Sequence, residues 1–472
     1  MSATYPASLL DAIEALRAGS ISAQQLAIAT LERAQRAQER TNCFLSIESE
    51  SLLRAAELAD LVLTETRRRG VAPIGALQGV PLAHKDMFGR GGAPVRYGSK
   101  AALDQPTQQR ATATARLEQA GALEVGALNM AEFALGATGH NAAYGDCRNA
   151  WNPDYISGGS SSGSGAAVAC GAAFASLGSD TGGSVRIPAS ANGLVGLKPT
   201  YGLIPRTGSM KLSPSIDVIG PMARTVADLA EILQVVAGGD GVDANASLRP
   251  VPDYRQSIRA GVEGLRIGVP SNYFFDVASD EIRGAMDRSL QALLAVGARR
   301  VDISVPAVAE MSELSRAIVY SEATALHAPW LRTRGERYTA QVRVRASTGL
   351  AIPAAVYLEA LQLRIPLLRR FVGEVFSRCD VLLTPTLPIS VPRRDETDVG
   401  AGAGLWQILS RLVHCTAPFN YLGLPAITVP AGLDTRGLPM GAQFVARPYA
   451  ESTLLRVAAE QQRAMPLPAL VI

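Results

Sequence analysis

Two segments rich in glycine and serine lie close together in this 472-residue chain: Ser157-Gly-Gly-Ser-Ser-Ser-Gly-Ser-Gly165 and Gly178-Ser-Asp-Thr-Gly-Gly-Ser-Val-Arg186. Residues 166–177 between them are almost purely small or apolar. A serine hydroxyl can attack a carbonyl carbon once a neighbouring base takes its proton. Glycines let backbone N–H groups approach the reacting atom closely. A flexible linker has similar composition, but this segment runs straight into an apolar helix-forming stretch. Free N–H groups at a helix start favour developing negative charge. A phosphate cradle lacks support, since neither G-x-x-x-x-G-K-[ST] nor a strand followed by G-x-G-x-x-G is present. Gly159-Ser-Ser-Ser-Gly163 does match a nucleophile elbow, with Ser161 at its centre. That elbow requires a strand before it and a late histidine. Residues 149–155 make a poor strand, and His327 and His414 sit in unremarkable surroundings.

A serine without a histidine needs another activator, and a desolvated lysine can serve. Of the 45 basic residues only four are lysines: Lys85, Lys100, Lys198 and Lys211. All four fall within the window that holds both serine segments. Arginine does not give up its proton, so it cannot replace a lysine base. Lys85 ends the apolar run Gly79-Val-Pro-Leu-Ala-His-Lys85, which reads as a buried strand. Lowering its pKa from about 10.4 to roughly 7–8 corresponds to about 3–5 kcal/mol of differential stabilisation. The competing reading is a structural ion pair with Asp86 or another acid. Local packing accounts for the other three lysines. No lysine has a serine three positions earlier, which excludes the S-x-x-K arrangement.

The elements that must position these groups follow from periodicity and punctuation. Residues 1–40 are helical in pattern, and Ser22 with Gln25 makes a capping box. Residues 65–72 read as a charged turn, 77–83 as a strand, 107–120 as a helix and 123–128 as a second strand. Strand, helix, strand in that order predicts a parallel α/β unit. The uncharged stretch 157–179 reads as a buried core helix, too poor in large apolar residues for a membrane span. Further strands are expected at 265–270, 381–385 and 426–429, helices from 280 to 376, and loops at 235–254 and 393–404.

With 47% hydrophobic residues the chain can bury a large core. A net charge of +3 without a basic arm or acidic tail gives no reason to expect a nucleic-acid or membrane partner. Five widely spaced cysteines and no C-x-x-C read as reduced intracellular thiols, and the four histidines lack metal-ligand spacing. The N-terminus carries no secretory pattern, so the expected location is cytoplasmic.

Four ordered segments together resemble the amidase signature family: Gly79-Val-Pro-Leu-Ala-His-Lys-Asp86, Gly158-Gly-Ser-Ser-Ser-Gly-Ser164, 178–186, and Gly193-Leu-Val-Gly-Leu-Lys-Pro-Thr200. The resemblance extends to Gly437-Leu-Pro-Met-Gly-Ala-Gln443. It implies one large α/β/α sandwich around a central mixed sheet. Residues 1–60 would be an N-terminal helical part, 75–230 the signature core, 235–404 a variable substrate-pocket region, and 405–472 a return to the core sheet. It also implies a Ser-cisSer-Lys triad. By motif position Lys85 is the base, Ser160 the bridging serine after a cis peptide with Gly159, and Ser184 the acyl-forming nucleophile. The N–H groups of Thr181, Gly182, Gly183 and Ser184 would form the oxyanion hole. Met130, Gly159, Ser161 and Thr181 are the candidate substrate contacts. No cofactor or metal is implied; the partner would be a small-molecule amide, and the assembly a homodimer. Pro353-Ala-Ala-Val-Tyr-Leu-Glu-Ala-Leu-Gln362 looks like stand-alone amidases acting on arylamides or small aliphatic amides. Asn129-Met-Ala-Glu-Phe-Ala134 resembles the alternative, the glutamine-hydrolysing chains of tRNA-dependent amidotransferases, which need partner subunits. A ureido-type amide hydrolase and a non-catalytic scaffold are the remaining readings.

Overall fold

A computed structural model describes residues 5–72, 75–102 and 106–470. Among the described residues eleven strands form two sheets. The smaller contains β1 (Phe44–Ile47), β2 (Pro81–Lys85) and β3 (Leu123–Leu128) in the order β1-β3-β2. The larger contains β4 (Ala175–Asp180), β5 (Val195–Lys198), β6 (Val218–Ala223), β7 (Arg266–Pro270), β8 (Arg299–Ile303), β9 (Val381–Pro385), β10 (Ala426–Leu433) and β11 (Pro439–Ala446). Its order is β4-β6-β5-β10-β11-β9-β7-β8. Strands β7, β8 and β9 run parallel, and the remaining neighbours are antiparallel. The central sheet is therefore mixed. Strands β4, β5, β6, β9 and β11 are buried at every position. Helices cover both faces, which is why these strands read as runs without polar alternation.

The predicted parallel unit forms: β2 pairs β3 in parallel, joined through a helix at Thr112–Gln119. It belongs to the small sheet, not the central one. The expected turn at 65–72 is instead the end of a helix, Ser49–Arg69. Arg68 and Arg69 pair with Glu65 along it, and Gly70 closes it with φ +65°. Charge density marked a solvated helix face there, not a break. The stretch 157–179 is not one helix. It holds a short helix, Ser162–Ala169, and then enters β4. The expected loop at 393–404 contains a helical turn at Arg394–Thr397. Among the described residues no single helix is long and apolar enough to cross a membrane.

The helix Ser162–Ala169 has glycine in its first turn for a packing reason. Gly163 lies where a Cβ would come within 2.6 Å of the backbone N and O of Asn129, and its own N–H donates to Asn129 O at 2.8 Å. No rotamer change can relieve a backbone clash, so the helix docks against the end of β3 only with glycine here. Gly163→Ala is expected to lower stability by about 1–3 kcal/mol, read from the urea midpoint at unchanged slope.

Candidate active site

Lys85 closes β2, whose five residues are all buried, and its own exposure is 1%. Its Nζ donates to Ser160 Oγ at 2.6 Å and to Ser179 Oγ at 2.8 Å. The alternative pairing with Asp86 is not made: Asp86 accepts the N–H of Arg96 at 2.9 Å. Burial pushes Lys85 down to about 7, against an opposing pull from Asp217 and Asp180. Both of its partners are uncharged hydroxyls, so nothing in direct contact offsets the cost of burying an ammonium.

The Gly159–Ser160 peptide is cis. The segment is pinned on both sides, by Gly159 N–H to Ala137 O at 2.8 Å and by Ala131 N–H to Ser160 O at 3.0 Å. Gly158 has φ +74° and packs where a Cβ would meet Pro188 N and Cα at 3.0 Å. The elbow reading of Ser161 fails, because no strand precedes it. Ser161 Oγ instead accepts the N–H of Ser179 and donates to its carbonyl, both at 3.3 Å.

Ser184 lies on the loop between β4 and the helix Arg186–Ala191 and is partly exposed. Its carbonyl accepts the N–H of Ser161 at 3.3 Å, which ties the two serine segments together. Asp180, at the end of β4, shapes the loop. It accepts N–H groups of Gly183 at 2.8 Å and Val185 at 3.2 Å, and pairs with Arg186 at 2.8 and 3.0 Å. Both side chains are fully buried, and the Arg186 guanidinium holds the Asp180 carboxyl well below the usual range. Arg186 also donates to Gln443 Oε1 and Asn420 Oδ1, each at 2.6 Å. Gly183, at φ +130°, has no room for a side chain beside Thr416 and Ile187. Its N–H is spent on Asp180, so one of the four donors expected for an oxyanion hole is already engaged. Thr181 Oγ1 donates to Asp217 Oδ1 at 2.6 Å.

Ser184, Thr181 and Gly182 line a cavity of about 90 Å³ walled by Leu135, Leu212, Val319, Tyr320, Trp406 and Leu409. Of the four expected substrate contacts only Thr181 lines it. Met130 is fully buried in the core. Gly159 and Ser161 are taken up by the backbone contacts above. The sequence reading missed Arg345, which also lines the cavity at 8% exposure. Its Nη2 donates to Tyr320 Oη at 3.2 Å, while Nε and Nη1 are buried without a partner. Among the described residues no carboxylate pairs with it. Its guanidinium also lies over the Tyr320 ring, at 5.8 Å, but buried cations are ordinarily paired with an acid, so this one is an exception requiring a cause.

Two measurements test this geometry. With only four lysines, 13C-labelled lysine NMR can follow Lys85, which is expected to titrate near 7; burial pushes Lys198 down to about 7 as well, so the Lys85 signal is the one lost in Lys85→Arg. Ser179→Ala removes an acceptor that favours the ammonium, so its midpoint should fall further. Arg186→Met strands a buried Asp180 carboxylate and should cost about 3–5 kcal/mol of stability by denaturant titration.

Residues 25–455 match the family model Amidase. The A-type chain of the glutamyl-tRNA(Gln) amidotransferase of Roseiflexus sp. (strain RS-1) is 37% identical, covering 98% of this chain and 97% of that protein. The protein of the same name from Myxococcus xanthus (strain DK1622) is 36% identical, covering 97% and 96%. One similar solved structure belongs to an unexpected vestigial protein complex that reveals the evolutionary origins of an s-triazine catabolic enzyme. It has a TM-score of 0.89 at 32% identity, covering 98% of this chain and all of that one. The corresponding glutamyl-tRNA(Gln) amidotransferase chain from Thermotoga maritima has a TM-score of 0.80 at 28% identity, covering 97% of each chain. The relatives' names support the alternative, a component of an amidotransferase, better than the stand-alone reading. The chain belongs to the amidase signature family of C–N hydrolases.

Proposed function

We propose that this protein hydrolyses the C–N bond of a small amide that also carries an anionic group, of the glutamine type, through an acyl-enzyme on Ser184. The observation that carries the reading is the unpaired guanidinium of Arg345 in the cavity that Ser184 lines. A carboxylate on the substrate would satisfy the two orphaned donors and compensate the buried charge. In this scheme neutral Lys85 takes a proton from Ser160, which takes one from Ser184 as it attacks the carbonyl. The N–H groups of Thr181, Gly182 and Ser184 receive the oxyanion. Ser160 returns the proton to the departing nitrogen, and the C–N bond breaks. Water, deprotonated along the same relay, then releases the acid and regenerates Ser184.

The amidotransferase relatives support glutamine as substrate and partner chains as a requirement. A second reading has its own observation. The TM-score is higher to the s-triazine structure, 0.89, than to the Thermotoga chain, 0.80. The same cavity would then take another anionic amide without tRNA. Neutral arylamides fit the unpaired charge less well.

The test is a panel of carboxylate-bearing and neutral amides, with acyl-enzyme trapping read by mass spectrometry. Ser184→Ala should abolish turnover and trapping. Turnover should rise with pH through about 7, because the lysine must be neutral to accept a proton. Arg345→Met should raise KM for carboxylate-bearing amides by about 10²–10³-fold and leave neutral amides unchanged. Equal turnover of both classes by the wild type, with Arg345→Met indifferent to charge, would overturn the anionic assignment.

A further inference from the structure

Arg345 lies on the helix Ala340–Ser347, in the part of the chain remote in sequence from the serine segments. This helix has no side-chain cap of its own. Its N-cap residue is Thr339, whose hydroxyl would ordinarily accept an N–H of the first turn. Here that hydroxyl donates instead to Glu132 Oε2, and the Thr339 N–H donates to the same oxygen at 3.0 Å. The other oxygen, Glu132 Oε1, accepts from Ser99 Oγ at 2.6 Å. Glu132 is 1% exposed, so three donors converge on one buried carboxylate. A carboxylate at a helix start also complements the positive end of the helix dipole.

The neighbourhood of Glu132 is held in costly backbone. Phe133 and Ala134 both lie in the left-handed region, at φ 49° and 60°. Such conformations persist in non-glycine residues only where surrounding contacts over-determine them. The Phe133 ring supplies some, packing at 4.6 Å from His327, 5.0 Å from Tyr338 and 5.7 Å from Trp330. Immediately after this turn Ala134 and Leu135 enter the wall of the Ser184 cavity. One buried carboxylate therefore joins a wall of the cavity to the helix bearing Arg345.

We infer that Glu132 is a positioning residue for substrate recognition: its clasp on Thr339 sets the helix that aims Arg345 at the anionic group of the substrate. Thr339 and Arg345 are six residues apart, about 9 Å along a helix. A small rotation at the clasp therefore becomes a displacement of the guanidinium. Misplacement of a recognition group by about 1 Å can cost up to 10²-fold. Glu132 itself does not line the cavity, so its effect on the charged substrate runs through the Thr339 helix. The inference rests on the reading of Arg345 given above.

A double-mutant cycle tests it in the full chain. Glu132→Ala should raise KM for a carboxylate-bearing amide by about tenfold to a hundredfold. Its kcat and the rate of fluorophosphonate labelling at Ser184 should change far less than that KM, and neutral amides should lose less than the charged one. Glu132→Gln keeps an acceptor for Thr339 and should recover most of the loss. The Glu132→Ala/Arg345→Met double variant should be no worse than Arg345→Met alone, because one acts through the other. If Glu132→Ala does not fold, Thr339→Val removes the hydroxyl donor while leaving the carboxylate in place, and the same cycle is run with it. Equal loss on neutral amides, or losses that multiply in the double variant, would overturn the positioning role while leaving Arg345 as the anion contact. If Arg345→Met does not distinguish charged from neutral amides, the inference falls with the reading beneath it.

Discussion

The buried pair of Asp180 and Arg186 is the constraint on which the reactive half of the molecule depends. Taking two charges out of water costs more than their attraction returns unless further hydrogen bonds complete both groups. Here they are completed by chain segments far apart in sequence. Asp180 gathers the N–H groups of its own loop and the Asn420 amide at 2.7 Å. Arg186 reaches Asn420 and Gln443, and Gln443 continues to Thr384 Oγ1 at 2.8 Å. One network thus fixes the end of β4, the Ser184 loop, β11 and β9. The loop's shape follows from what the carboxylate demands, and the spent N–H of Gly183 is part of that demand.

The same network affects the lysine. Asp180 favours a protonated Lys85, and so does Asp217. Both carboxylates are already engaged, Asp180 by Arg186 and Asp217 by Thr181 Oγ1 and the N–H groups of Leu212 and Ser213. Lys85 is left with hydroxyl partners alone, and burial dominates. Lys85 and Ser160 are sealed in, whereas Ser184 is partly exposed and opens onto the cavity.

Much of this half was legible in the sequence because each feature leaves a local mark. Lys85 ends an uninterrupted apolar run, and arginine's dominance elsewhere made it conspicuous. Glycines mark positive φ and close backbone approach, as at Gly158 and Gly183. The other half left no such mark. Arg345 is one of many arginines, and what sets it apart is that no carboxylate among the described residues meets it, a property of the folded chain. Met130 does not line the Ser184 cavity, since a motif position says nothing about which way a side chain faces. Strand β6, Val-Ile-Gly-Pro-Met-Ala, went unread because glycine and proline interrupt its pattern, although it is buried throughout.

The cavity draws its walls from two sources that share few bonds. The Ser184 loop is locked into the Asp180 network, whereas Val319, Tyr320 and Arg345 belong to helices outside it. Substitutions on those helices can alter the cavity's lining without disturbing the Ser184 loop. The space beside Ser184 is in this sense a modular one: its lining can be recut from the helix side while the loop keeps its shape.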